Sequence, residues 1–246
     1  MFKPKIAIHV GIMASMCLSP QAWADPNDIV LTNYTENGLR QVDFRLGSYH
    51  QNGQPSQDAL ILGLGYGISD SWFSEFYLGY SKSGGDAVNF DSAAIANTFL
   101  ITGENSPLEL GLYTEVEYER DRSQGDLLMF GPLMEFEAGL TKVNLNFLFS
   151  RNYLADFSNP MQLGYQWQVR RHIPGPVDLG LQGFGQFGQW DKFAPLNQQS
   201  HRLGPAVFGK FDVGEKNVLS YNAAVLFDAF TGVHATTFKF QAVLSF

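Results

Sequence analysis

Twelve stretches of period-two alternation, divided by breaks rich in Gly, Pro, Asn, Asp or Ser, predict an all-β fold: a transmembrane, antiparallel, up-and-down β-barrel of about 12 strands. Two further observations carry the same prediction. The chain opens on a secretory leader, and its composition is rich in aromatic residues (14%) and Gly (25 residues) while only 16% of residues are charged. That balance suits neither a disordered chain nor a typical water-soluble domain.

The opening residues, MFKPKIAIHVGIMASMCLSPQAWA, contain every part of a signal peptide. Lys3 and Lys5 supply the positive start, Ile6 to Leu18 an apolar run of about thirteen residues, and Ala22-Trp23-Ala24 a small-x-small cleavage site. The run falls short of the ~20 residues a helix needs to span a bilayer. The expected organisation is a leader over 1–24, an N-terminal periplasmic extension or lumen segment over 25–38, and a barrel over 39–246. Cys17, the single cysteine, falls in the leader, so the mature chain is expected to hold no disulfide and no thiolate-bound metal. Met16 stands where a lipidated cysteine needs a small residue before it. Loss of Lys3 and Lys5 takes the formal charge from −8 to −10, which argues against a nucleic-acid partner.

The first barrel segment, 39–50, carries Asp43 and Arg45 on its polar phase. The second, 58–68, and the third, 71–82, form one hairpin, with Trp72 and Tyr80 on the apolar phase and Glu75 on the polar one. The fourth covers 90–103. In the fifth, 107–120, Leu108, Leu110, Leu112, Val116 and Tyr118 oppose Glu109, Tyr113, Glu115, Glu117 and Glu119. A Glu at alternate residues cannot face lipid. The sixth, 126–138, places Glu135 and Glu137 on the polar phase. The seventh, 141–152, sets Val143, Leu145, Phe147 and Phe149 against Lys142, Asn144, Asn146 and Ser150. In the eighth, 161–172, Leu163, Tyr165, Trp167 and Val169 oppose Gln162, Gln166, Gln168 and Arg170. The ninth, 176–189, contains GLQGFGQFGQW, which permits either phase. The tenth (201–213), eleventh (217–230) and twelfth (235–246) carry Lys210, Asp212, Asp228 and Lys239 on the polar phase.

Breaks at SDSW, GENSP, AGLT, HIPGP and GEKN are tight, whereas SGGDAVN, DRSQGD, LADFSNP and DKFAPLNQQS are longer. Short periplasmic turns and longer outer loops are the rule in outer-membrane barrels. Lipid offers the backbone no partners, so the first and last strands must pair and leave no edge. A soluble β-sandwich or lipocalin-like barrel shares the alternation but would turn the apolar phase inward.

The last strand, with Phe238, Phe240, Leu244 and Phe246 at alternate apolar positions, resembles the C-terminal signature of Gram-negative outer-membrane proteins. The resemblance implies recognition by the barrel-assembly machinery and a setting among outer-membrane lipids and lipopolysaccharide. The stretch LGLGYGISDSWFSEFYLGY (62–80) is also similar to a hairpin common among proteobacterial barrel proteins.

Twelve strands enclose a lumen between that of a side-chain-filled eight-stranded barrel and that of a porin. The polar phase assigns to it Arg45, Glu75, Glu109, Glu115, Glu117, Glu119, Glu135, Glu137, Lys142, Arg170, Lys210 and Lys239. An acidic wall opposite spread basic residues sets up a transverse field, and charged linings select solutes by charge. The function expected is passive conduction of a small hydrophilic solute, with mild preference for cations or neutral solutes and with no cofactor. The alternative is a closed structural or adhesive barrel, its lumen plugged by charge pairs such as Glu137 with Lys142. A lipid-modifying enzyme would need Ser and His on one face. Ser200 and His201 are chain neighbours and point to opposite faces. His50, His201 and His234 fall at outer strand ends, where imidazoles suit zinc, copper or nickel, although solvated loop histidines explain them as well. Asp86, Asp121, Asp126, Asp156 and Asp191 in the outer loops are oxygen ligands suited to calcium or to solvent.

Overall fold

The computed structural model describes residues 26–103, 106–157, 159–214, 216–230 and 234–246. The leader expected over 1–24, with Cys17, lies outside the described residues. Twelve antiparallel strands form the wall: β1 (Arg40–Gln51), β2 (Gln57–Ser69), β3 (Trp72–Ser83), β4 (Asn89–Leu100), β5 (Glu109–Glu119), β6 (Asp126–Ala138), β7 (Thr141–Tyr153), β8 (Gln162–Arg171), β9 (Val177–Gln189), β10 (Ser200–Val213), β11 (Asn217–Asp228) and β12 (Ala235–Ser245). Each pairs with its chain neighbours, and β12 pairs with β1 from Gln41↔Ser245 to Gln51↔Ala235. Arg40 and Phe246 exchange both backbone hydrogen bonds at 3.0 Å, so the seam is zipped to its short-turn end. A two-residue strand, Lys192–Phe193, folds back onto Gln189 and Gly188 at the long-loop end.

One connection departs from expectation. The fourth and fifth segments were expected to meet at a tight GENSP turn, but β4 ends at Leu100 and β5 begins at Glu109. Pro107 has no N–H to give to a ladder. The neighbouring backbone is tied irregularly, with Ile101 N–H and Thr102 N–H both donating to Leu110 O and Leu110 N–H donating to Thr102 Oγ1.

The two faces of the wall are chemically inverted relative to a soluble barrel. Outward residues of β2 are Leu62, Leu64, Tyr66 and Ile68, with Leu64 63% exposed, and Phe76, Ile95 and Val116 continue the belt on β3 to β5. Inward residues include Asp43, Asn144, Asn146, Gln182 and Thr237, each at most 2% exposed. A continuous apolar exterior of this extent is stable only against acyl chains. The glycine-rich β9 resolves its phase on this basis: Asp178, Gln182 and Phe184 are buried inward, and Leu179 and Leu181 are exposed outward. Its outward Gly183 and Gly185 lie beneath the rings of Trp167 and Tyr165, their cross-strand partners on β8.

Residues 26–39 form an N-terminal strap inside the lumen. Val30 packs into an apolar layer with Phe184, Ala206, Phe208, Ala224 and Leu226 from β9, β10 and β11. Across the barrel a second layer joins Tyr77, Ala94, Ala96, Tyr113, Leu133 and Leu148, with Leu31 against it. Inward glycines make room for the strap's backbone. A Cβ on Gly47 would sit 1.9 Å from Pro26 O, and one on Gly67 would sit 1.7 Å from Glu36 O. The strap therefore runs from the upper lumen at Pro26 to the short-turn end at Glu36, where Thr35 Oγ1 donates to Asp70 O at 2.5 Å.

Candidate functional site

Below the apolar layers a cavity of about 1010 Å³ is walled on one side by residues 29–39 and on the other by the lower strands. Its charged lining comprises five acids, Glu36, Asp43, Glu75, Glu109 and Glu135, and five bases, Arg45, Lys142, Arg170, Lys210 and Lys216. The formal charges cancel in number but are separated in space. Apart from the strap's Glu36 and the β1 pair Asp43 and Arg45, the acids come from β3, β5 and β6, and the bases from β7, β8, β10 and the β10–β11 turn.

Each ion pair has a local cause. Asp43 and Arg45 share the inward phase of β1, and Arg45 Nε donates to Asp43 Oδ2 at 2.7 Å. Gln241 Nε2 on β12 reaches the same carboxylate at 3.0 Å, and the Arg45 guanidinium lies 4.3 Å from the Tyr77 ring centroid. Glu75 lies within the field of the Arg45 charge. On β7, Lys142 contacts Glu135 and lies 3.6 Å from Glu137, its direct cross-strand partner. From Glu135 a buried amide ladder crosses three strands. Asn144 Nδ2 donates to Glu135 at 2.5 Å, Gln168 Nε2 to Asn144 Oδ1 at 3.2 Å, and Gln182 Nε2 to Gln168 Oε1 at 2.8 Å. Arg170 Nε donates to Asp178 at 2.6 Å, and His172 Nδ1 lies 2.7 Å from the other oxygen of that carboxylate. Such networks gain strength from the low local dielectric and rigidify the wall.

The acidic residues of β5 and β6 do not form one wall. Glu109 and Glu135 face the lower cavity, whereas Glu115, Glu117 and Glu119 lie toward the long-loop end of β5. The layer containing Tyr113 and Leu133 separates the two sets. Tyr113 hydroxyl donates to Glu115. Glu137 stands at the mouth beside the Gly139 turn with its side chain 67% exposed. Alternation reports which face a residue takes. Height along the axis depends on strand stagger, which alternation does not report.

Lys239 lies above the apolar layer, its Nζ 3.9 Å from the Phe184 ring centroid. Beside it Arg202, on β10, holds the strap: Arg202 donates to Asp28 Oδ2 at 2.5 Å and to Thr237 Oγ1 at 3.2 Å. Leu31 N–H donates to Gln166 Oε1 at 3.1 Å, Asn146 Nδ2 to Leu31 O at 2.9 Å, and Asn33 Nδ2 to Glu109 O at 3.1 Å. Arg202, Asn33 and Leu31 were not among the residues expected at the site. Arg202 sits on the polar phase of the tenth segment, and that phase alone was enough to find it. Tyr34 at the cavity wall donates to Glu36 at 2.8 Å. Partial burial, then the hydrogen bond to Glu36 and then its charge push the phenol up to about 12, so it remains a neutral donor.

The histidines at the long-loop end do not converge. His50 packs edge-on against Phe238, and His234 is exposed. His201 faces outward beneath the 190–199 loop, with Tyr165 hydroxyl at 2.8 Å from Nδ1 and Gln199 Oε1 at 2.8 Å from Nε2. Among the described residues no group of three or more His, Cys, Asp or Glu side chains has metal-binding geometry, the outer-loop aspartates included.

The structure does bring one Ser and one His together on a common face, at a position the sequence reading passed over. Ser48 and His50 share the outward phase of β1, with Oγ 2.8 Å from Nε2, beside an apolar groove that includes Leu46, Leu60, Tyr80 and Phe238. The i, i+2 spacing in a strand was the available signal. Ser48 Oγ, however, donates to Asp58 Oδ1 at 2.5 Å. The carboxylate takes the hydroxyl proton that a nucleophile must pass to its imidazole, so the order Asp–Ser–His is not that of an acyl-transfer triad.

A closed barrel with a lipid-compatible exterior and a charged, hydrogen-bonded interior has the architecture of a transmembrane β-barrel. No family model matches the chain, and no curated protein does. Solved structures with the same fold include outer-membrane channels and, at a TM-score of 0.51 and 10% identity, the translocator domain of the autotransporter NalP from Neisseria meningitidis. The COG4313 outer membrane channel from Pseudomonas putida F1 superposes with a TM-score of 0.60 at 14% identity, covering 91% of this chain and all of that one. The NanC porin gives 0.57 at 10% identity, over 83% of this chain and 98% of that one. The KdgM porin, solved with disordered oligogalacturonate, gives 0.52 at 7% identity, over 82% and 97%. At these identities the likeness is one of fold.

Proposed function

We propose that the chain is an outer-membrane channel for small hydrophilic solutes, that its strap closes the lumen in this conformation, and that conduction follows displacement of the strap. The observation that carries this reading is how the strap is held. From Asp28 to Asn33 its described contacts with the wall include one ion pair, a few amide bonds and the packing of Val30 and Leu31, and none of these residues joins a strand ladder. Net contributions of ~0.5–1.5 kcal/mol for each neutral bond and about 1.5–3 kcal/mol for the charged one to Arg202 leave the strap less firmly held than the barrel's ladders, so its release does not require the barrel to open. The channel fold of the NanC and KdgM porins supports the same reading. The balanced lining of the lower cavity favours neutral over cationic solutes, and it gives no advantage to a polyanion such as the oligogalacturonate of the KdgM complex.

Single-channel recording in planar bilayers tests this. Wild type is expected to show low or intermittent conductance, and deletion of 26–37 a larger and steadier one. Silence from both proteins would reject the channel in favour of a closed structural barrel. Replacing Glu115 and Glu117 by Gln is expected to lower cation permeability only once the strap is gone, because these residues lie above the closing layer.

A further inference from the structure

The lower cavity combines two features that a merely water-filled mouth does not need. It is large, at about 1010 Å³, and its opposite charges occupy separate arcs of the ring. Glu75, Glu109 and Glu135 stand on β3, β5 and β6, and Arg170, Lys210 and Lys216 on β8, β10 and the turn after it. Glu135 meets Lys142 where the arcs join, so the two signs neutralise each other at that seam. Away from the seam Arg170 is paired with Asp178 and Glu75 lies beside the Arg45 charge, while Glu109 faces Lys210 and Lys216 across the cavity. In a closed ring of 12 strands, β5 and the β10–β11 turn are almost diametrically opposed. Lys210 and Lys216 are exposed to this space.

We infer that the lower cavity is a binding site for a zwitterionic solute, with its cationic group toward the Glu75–Glu109 arc and its anionic group toward Lys210 and Lys216. A singly charged solute gains attraction from one arc and repulsion from the other. A solute with separated ammonium and carboxylate groups gains from both, and it is oriented by the field between them. The low-dielectric wall strengthens that field relative to bulk water. The strap's neutral donor Tyr34 and its Glu36 complete one side of the cavity, so binding is compatible with the closed conformation. The inference deepens the channel reading by naming a solute class, but it is tested by equilibrium binding and not by flux.

Isothermal titration of the detergent-solubilised chain at low salt, with four small amides, separates the possibilities. Glycylglycine is the zwitterion, glycylglycinamide the cation, N-acetylglycine the anion and N-acetylglycinamide the neutral control. Glycylglycine is expected to bind at least tenfold more tightly than any of the other three, and the margin is expected to shrink as salt rises. Lys210→Gln with Lys216→Gln should reduce its affinity to that of glycylglycinamide, and Glu109→Gln should reduce it toward that of N-acetylglycine. Far-ultraviolet circular dichroism and the heat-modifiable gel shift of each variant confirm that the barrel is intact. Equal binding of all four, binding of none, or a preference unchanged in the folded variants would each overturn the inference. The bilayer conductance of the same preparations would still report separately on the channel.

Discussion

At the scale of single residues, position relative to lipid decides what a substitution costs. Leu64 lies near the middle of β2 on the outward phase and is the most exposed of that strand's apolar residues. Leu64→Arg is expected to destabilise the barrel by ~2–4 kcal/mol in vesicles, as charged residues at the bilayer midplane do. Denaturant titration of folding into phospholipid vesicles measures it, and an unchanged midpoint would mean that this face does not meet acyl chains. Asp121 shows the opposite setting, a loop carboxylate in solvent. Hydrogen bonds from Ser123 Oγ at 2.7 Å and Ser123 N–H at 3.0 Å hold its carboxyl below the ordinary aspartate value. A depressed folded value means that the turn is supported above the unfolded pKa of ~3.9 and loses that support as pH falls through the lower, folded value. The protection factor of the Ser123 amide, with intrinsic exchange divided out, should therefore hold at pH 4 and fall only below it, and a loss of protection centred above pH 4 would contradict the assignment. Neither effect required the structure to identify Leu64 or Asp121, because alternation and loop position had already separated them.

At the scale of elements, the strap and β9 show where sequence reasoning stopped. The strap has no period-two pattern, and its place in the lumen rests on contacts with residues far away in the chain, such as Asn146, Gln166 and Arg202. The signal that locates it is glycine on the inward phase of β1 and β2, at Gly47 and Gly67, where any side chain would strike the strap's backbone. Gly67→Ala should therefore dislodge the strap while sparing the ladder. The expected outcome is a rise in open-channel probability toward that of the strap deletion, and a variant as quiet as wild type would disprove the steric role. On β9 glycine misled for the converse reason. Gly180 lies inward and Gly183 and Gly185 outward, so glycine falls on both faces and erases the alternation. Phase there is set by the covering rings of Tyr165 and Trp167 on β8. The other strand limits were legible to within about two residues because lipid and lumen impose opposite chemistry on successive side chains. The β4–β5 connection was less so, since irregular hydrogen bonding continued past the last regular pair.

At the scale of the whole molecule, closure converts a linear pattern into a ring, and with it decides which charges meet. The inward phase names candidate lumen residues but carries no information on their grouping. Six glutamates on β5 and β6 that read as one surface in sequence are divided by a layer of Tyr and Leu side chains. The acids and bases of the lower cavity, scattered over 180 residues from Glu36 to Lys216, gather into two arcs. The same ring closure has a consequence for how the molecule is made. The strap precedes β1 in the chain, yet it ends up inside a hoop whose final joint, between β12 and β1, involves the last residues. Either the strap is already cradled by a curled, unfinished sheet when that joint forms, or it must thread a finished cylinder from one rim. The first route makes the strap an internal template for curvature. Its removal would then slow assembly as well as unblock the passage.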